Sequence, residues 1–264
     1  MVLGYSRWLM ARMLPSRQAP DLIACHWSLL SQLGAVPKAL VWDNEPALGS
    51  WRGGKPVLAE EFAAFRGSLG IRGIQCRPRD PEAKGLVERS NGYLETSFMP
   101  GRTFQDPNDF NRQLVDWLEK ANQRQHRIIE CRPADRLSED RAAMVALPPR
   151  PPALGWRWST RPPRDHYVRV QSCDDSVHPS AVGRRVEVVW TLDAVTVGCG
   201  GRLVAQHPRS WAPHRTITAA EHVAAAEEMR RTRRRAFTRT RSDEVEVRPL
   251  SVYDAACAAG EGVA

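Results

Sequence analysis

Apolar side chains recur at helical spacing in three stretches of the chain, with short continuous apolar runs between them. Leu22, Ile23, Leu29, Leu30 and Leu33, with His26 among them, share one face of a helix that Pro20 opens and Gly34 stops. Leu58, Phe62, Phe65 and Leu69 predict a second helix over Val57 to Leu69, closed by Gly70. Phe110, Leu114, Trp117, Leu118 and Ala121 predict a third, capped by Asp106 with Pro107 in its first turn. The run Ala39 to Trp42, ending at Asp43, fits a strand buried on both faces. Ile71 to Cys76 reads as another short strand, and Val2 to Leu14 as a hairpin around Gly4. Asn44 to Pro56, rich in Gly and Pro, reads as an exposed loop. A stiff basic loop, Arg77-Pro78-Arg79-Asp80-Pro81, leads into a helix carrying Glu82, Lys84, Glu88, Asn91 and Leu94.

The pattern changes after residue 146. Residues 147–163 hold six prolines in 17 positions and read as a semi-rigid linker. Short strands follow at Tyr167–Val170, Val186–Trp190, Ala194–Gly198 and Leu203–Gln206, with Gly200-Gly201 suited to a tight turn. They predict a small β-barrel over 164–215. Thr218 and Glu221 have capping-box spacing for a last, basic helix over 216–241. Residues 242–264 read as a disordered tail.

Charge sharpens this division. The 264 residues carry a net charge of +8. Residues 1–147 contribute +3, residues 148–241 contribute +9, and the tail contributes −4. A basic second half favours a polyanionic partner, nucleic acid before membrane, because no amphipathic anchor is evident. No apolar run reaches the roughly 20 residues of a membrane span. Arg7 and Arg12 interrupt the N-terminal apolar stretch, which argues against a signal peptide. The six cysteines have no metal-knuckle spacing and read as reduced thiols of a cytoplasmic protein.

Two carboxylates stand out by position. Asp43 ends a buried strand, where sites in α/β sheets assemble. Glu88 sits on a helix behind a basic loop, sharing a face with Lys84, Asn91 and Glu95. Gly85 on that helix costs about 1 kcal/mol relative to Ala; close approach of a nucleic-acid backbone would explain it. The alternative is a solvated helix face with an incidental glycine.

The segments VWDNE (41–45), CRPRDPEAKGLVERSNGYLE (76–95) and RPADRLSEDRAAMVALP (132–148) resemble transposases of IstA type, as do RDHYVRVQSCDDSVHP (164–179), GRRVEVVW (183–190) and VTVGCGGRLVAQHPRSW (195–211). This is the insertion-sequence branch of the DDE recombinases, which share an RNase H-like core with retroviral integrases. The resemblance implies an α/β RNase H-like integrase core over 1–146 lacking its first strand, then a small all-β barrel domain and a basic C-terminal helix. It implies a triad of two Asp and one Glu holding two Mg²⁺ or Mn²⁺ ions. Asp43 matches the second Asp and Glu88 the Glu, as catalytic and metal-binding residues. Two such metals activate the attacking oxygen and stabilise the leaving one in an in-line phosphoryl displacement.

No residue matches the first Asp, and Asp21 is the sole acid before Asp43. The resemblance therefore implies a truncated, inactive transposase, also without the family's N-terminal helix-turn-helix region. The alternative is a non-catalytic DNA-binding or oligomerisation fragment that modulates full-length transposase. A third reading is a carboxylate-pair hydrolase acting through Asp43 and Glu88. For the transposase, the implied partners are element-end and target DNA, further copies of the chain and an ATP-binding helper protein, with no membrane. Arg77, Arg79, Lys84 and Asn91 are candidate DNA contacts beside the metals. Arg230, Arg231, Arg233, Arg234 and Arg235 are candidates on the last helix, where the alternative is a solvated helix end. Trp156 and Trp158 are expected to pack rather than stack on bases. His166, His178, His207 and His214 are expected in capping or core roles.

Overall fold

The computed structural model describes residues 1–43, 45–76, 81–152, 155–241 and 249–258, with backbone alone for 81–84, 86–87, 237–241 and 256–258. Helix α1 (Ala19–Leu33) ends where Gly34, at φ 76°, turns its amide back to the carbonyls of Leu30 and Ser31. Strands β1 (Ala35–Val36) and β2 (Ala39–Trp42) follow.

The stretch expected as a loop contains a hairpin, β3 (Gly49–Arg52) and β4 (Lys55–Leu58), turned by Gly53 and Gly54 at φ 55° and 73°. Two consecutive left-handed glycines match the twist of the flanking strands, so the turn chemistry outweighs the loop-like composition. The hairpin takes Val57 and Leu58 from the expected helix, and α2 spans Glu60–Leu69. Strand β5 (Arg72–Gln75) runs parallel to β2 in the register Ala39↔Arg72 to Trp42↔Gln75.

The two faces of β2 differ. Trp42 packs edge-on against Phe62 of α2 with ring centroids 4.7 Å apart, in a core shared with Ile23, Leu30 and Phe65. Val41 points the other way and is 52% exposed. The expectation of a strand buried on both faces is corrected here, because α2 and α1 cover one side of the β2–β5 pair only.

Helices α3 (Pro81–Ser97), α4 (Pro107–Asn122) and α5 (Pro133–Ala142) complete the first half. The Asp106 side chain accepts from the Asp109 amide at 2.8 Å, as its sequence position predicts. Phe98, at the end of α3, is 1% exposed and meets Trp117 of α4 at 5.6 Å. Strand β6 (Val145–Ala146) returns to pair antiparallel with β1.

Beyond it the protein is mostly sheet. Strand β7 (Trp156–Thr160) lies inside the stretch expected as a linker and pairs antiparallel with a strand of the β-domain. It is followed by β8 (Tyr167–Val170), β9 (Cys173–Ser176), a 3-10 turn at Pro179–Ala181, β10 (Val186–Trp190), β11 (Ala194–Cys199), β12 (Arg202–Pro208) and β13 (Thr216–Ile217). These strands form a four-stranded sheet in the order β12-β11-β10-β7 and a three-stranded sheet in the order β13-β9-β8. The small all-β domain is thus two sheets; no ladder closes them into one barrel among the described residues.

The inward positions of β10 and β11 alternate, leaving Val186, Val188, Val195 and Val197 at most 2% exposed. Burial on that scale stabilises by about 1.5–3 kcal/mol per side chain. Trp156 stacks on Trp190 at 5.4 Å and Trp158 meets the same ring edge-on at 4.9 Å. These indoles, which the linker reading leaves outside the domain, anchor β7 to its core.

Helix α6 (Ala220–Arg241) carries the arginine run. Within 242–264, expected as disordered, Ser251–Ala258 forms helix α7. The turn after β10 docks the β-domain on the first half. Leu192 enters a core with Leu3, Met10, Leu29 and Leu137, and Arg209 reaches Asp21 of α1. Among the described residues no helix is long and apolar enough to cross a membrane.

Candidate active site and nucleic-acid surfaces

Asp43 follows directly on β2, at the carboxyl end of the parallel pair, and is exposed. The ladder extends one step past the strands, because the Cys76 amide donates to the Trp42 carbonyl at 2.9 Å. Trp51 of the hairpin donates its indole N–H to the Cys76 carbonyl at 2.9 Å and ties β3 to the same end. The Glu45 amide donates to the Asp43 carbonyl at 2.8 Å, and the Glu45 carbonyl accepts from Leu48 and Gly49. Glu45 is paired with Arg17 at 2.6 Å.

Glu88 lies on the outer face of α3 with Asn91 and Glu95, all three exposed. The opposite face carries Tyr93, which packs on Trp117 of α4 at 5.2 Å. The 3.6-residue period thus separates the carboxylate face from the packed face as the spacing predicts. A Cβ at Gly85 would meet only the far end of Arg89, at 3.4 Å, so the described residues do not require glycine there. Arg77 and Arg79 lie outside the described residues, as does the side chain of Lys84.

Asp21 is withdrawn from any such site. Its carboxylate accepts two hydrogen bonds from Arg209, at 2.6 and 2.9 Å, and one from Ser16 at 2.5 Å, and it is 2% exposed. Among the described residues no three His, Cys, Asp or Glu side chains gather closely enough to hold a metal ion. Asp43 and Glu88 offer the hard oxygen donors that Mg²⁺ and Mn²⁺ prefer. Two such donors do not make a two-metal site by themselves.

Arg230, Arg231, Arg233, Arg234 and Arg235 are all exposed on α6. Arg231 reaches Glu227 at 3.7 Å and Glu228 at 3.9 Å, loose surface pairs that contribute little. The root of α6 is fixed to the β-domain. Ser176 Oγ accepts from the Ala219 amide at 3.0 Å and lies 2.8 Å from His222 Nδ1. Thr218, expected as a cap, lies with its hydroxyl 2.8 Å from that of Tyr167.

A buried polar cluster stands behind this root. His207 donates to the Ser176 carbonyl at 2.6 Å, and its ring lies 5.8 Å from His222. Asp175 is 1% exposed, and burial pushes its carboxyl up to about 6. Burial also holds His166 and His222 below the ordinary histidine value. His178 accepts from the Ser180 amide at 3.3 Å, a capping role as expected. His222 and Asp175 escaped the sequence reading, which treated the histidines singly. Their proximity depends on α6 folding back onto β9.

Cys25 and His26 face different cores. Cys25 joins the Leu3 and Leu192 cluster, whereas His26 lies 6.1 Å from Phe62 and donates to the Leu22 carbonyl. They form no nucleophile pair, in line with their adjacency on a helix.

Residues 1–81 match the family described as Integrase core domain, and residues 147–219 match Mu transposase, C-terminal domain. Asp43 lies inside the first match and Glu88 beyond its end. A Mycobacterium tuberculosis protein with a transposase designation is 29% identical over 219 residues, covering 79% of this chain and 52% of its own. The transposase for insertion sequence element IS21 of Pseudomonas aeruginosa is 26% identical over 256 residues, covering 96% of this chain and 63% of its own. A chain of the simian T-cell lymphotropic virus intasome in complex with PP2A regulatory subunit B56 gamma superimposes with a TM-score of 0.43 at 18% identity, over 83% of this chain and 71% of that one. The chain spans about half the length of the curated relatives it matches.

Proposed function

We propose, from the premise that this chain belongs to the insertion-sequence transposases of IstA type with an integrase core, that it works on DNA as part of a transposition reaction and joins no strands by itself. The observation that carries this reading is the parallel β2–β5 ladder, with Asp43 at its carboxyl end and Glu88 outward on the next helix. In this reading Asp43 and Glu88 are oxygen donors to Mg²⁺ or Mn²⁺, which when bound supplies Lewis-acid stabilisation of phosphoryl transfer. Asp21 is committed to Arg209 and cannot serve as a further donor without breaking that pair.

The same commitment of Asp21 supports a second reading. The chain would assemble with full-length transposase, take up DNA through α6 and Asn91, and lower joining by the complex. Arg77, Arg79 and Lys84 belong to the proposed DNA surface on sequence grounds. Further copies of the chain, element-end and target DNA, and an ATP-binding helper protein are its proposed partners.

The test uses the purified chain with a labelled linear duplex and Mg²⁺ or Mn²⁺. Expected are salt-sensitive binding and no strand joining. Joining by the chain alone would overturn the inactivity proposed here. Failure to bind duplex even at low salt would overturn the DNA reading itself.

A further inference from the structure

The N-terminal turn, α3, the end of α4 and the loop after it enclose a cavity of about 470 Å³. That volume lies within the roughly 300–1,000 Å³ of small-ligand sites. Leu9 and Tyr93 stand among its apolar and aromatic lining, which also includes four arginines, Arg7, Arg89, Arg124 and Arg127, the second of them donating to the Gly85 carbonyl of its own helix at 2.6 Å. None of its lining residues is a carboxylate. Cations gathered around an apolar hollow repel one another unless an anion joins them, so the lining selects a flat apolar body bearing negative charge.

Two local features point to a ligand rather than to structural packing. Arg7 has a φ of 63°, a conformation that costs a non-glycine residue and persists only where its surroundings impose it. Arg124 touches the Tyr93 hydroxyl at a long 3.4 Å, a contact easily exchanged for a phosphate oxygen. Ile128, at the margin of the cavity, is 66% exposed and offers an apolar surface to whatever enters.

A nucleotide has the required chemistry, a flat base joined to a phosphate. The cavity also borders α3, where Arg89 follows Glu88 directly, so a strand end lying along this helix could reach both. An acidic peptide would satisfy the charge but not the preference for a flat body beside Tyr93. We propose that this cavity captures one unpaired nucleotide at the end of a DNA strand, its base beside Tyr93 and Ile128 and its phosphate against Arg7, Arg124 and Arg127. The proposal rests on the reading that the chain handles DNA.

The test compares fluorescence anisotropy of a short blunt duplex with the same duplex carrying an unpaired two-nucleotide extension that contains 2-aminopurine. Stacking of one base strengthens binding by about tenfold, so the extended duplex should bind about tenfold more tightly and its 2-aminopurine should be quenched. Arg127→Gln and Ile128→Asn, both in the loop after α4, should remove the gain and the quenching while blunt-duplex affinity changes by less than about twofold. Equal affinity of the wild-type chain for both duplexes, or a gain that survives both substitutions, overturns the cavity assignment while leaving the DNA reading standing. Binding to neither duplex removes both.

Discussion

The Asp21 carboxylate and the Arg209 guanidinium, 188 positions apart, face each other in a two-pronged ion pair with both side chains 3% exposed. Arg209 also donates to the Thr191 carbonyl at 2.9 Å and to Gln171 at 3.2 Å. One pair thus joins α1 of the first half to the β-domain. Removing a single partner leaves a buried charge without its counter-ion, which costs about 3–5 kcal/mol. Asp21→Asn and Arg209→Gln should each lower the urea midpoint accordingly. The double replacement Asp21→Leu with Arg209→Met should recover most of the loss, because the desolvation cost disappears with both charges. Equal losses in single and double variants would show that the pair is not what couples the two halves.

The polar cluster behind α6 sets a pH response with two opposed parts. His166 and His222 are held below the ordinary 6.5, chiefly by burial. They favour the folded state while neutral, so their stabilisation is complete above about pH 6.5 and is lost as pH falls through their folded values. Asp175 is raised from 3.8 to about 6, chiefly by burial, and favours the folded state while protonated. Its stabilisation is present below about pH 4 and is lost as pH rises through about 6. Asp175→Asn should therefore raise the melting temperature at pH 7 and steepen the decline between pH 7 and 5. A variant with an unchanged pH profile would refute the assignment.

The arginines of α6 are proposed phosphate contacts. Replacing Arg231, Arg233 and Arg235 together by Gln should flatten the slope of log affinity against log salt by about 0.9 per lost contact. A slope identical to wild type would mean that this helix face stays in solvent when DNA binds.

Gly73 of β5 leaves room for the Trp42 ring that lies over it. A Cβ there would stand 2.6 Å from the Trp42 ring, which Phe62 already holds in place. Gly73→Ala should cost about 1–3 kcal/mol through overpacking. Because Trp42 precedes Asp43, it should also weaken Mn²⁺ binding, read by electron paramagnetic resonance.

Asp43→Asn and Glu88→Gln each remove one proposed oxygen donor. Each should weaken Mn²⁺ binding by the chain, and Glu88→Gln, at an exposed side chain, should change the unfolding free energy by no more than about 0.5 kcal/mol. Unaltered Mn²⁺ affinity in both variants would take these carboxylates out of the site.

The sequence by itself determined whatever is settled within a few residues. Gly34 and Gly70 stop α1 and α2 because only a left-handed backbone closes those ends cheaply. Asp106 and Pro107 start α4, Gly200 and Gly201 turn β11 into β12, and the apolar run 39–42 is a strand ending at Asp43. The likeness of its motifs to integrase-core transposases was legible at the same level. Tertiary structure decided the rest. The prolines around Trp156 read as a linker until Trp190 supplies the surface on which that strand packs. Val41 reads as buried until the sheet shows which face is covered. Asp21 looks available until Arg209 arrives from the far end of the chain, and the arginines at 7, 89, 124 and 127 look like ordinary surface charge until three elements bring them around one cavity. Caps and turns act through bonds that span one turn of backbone. Pairings and cavities depend on which distant side chains the packed core carries into contact, and a local pattern holds no record of that distance.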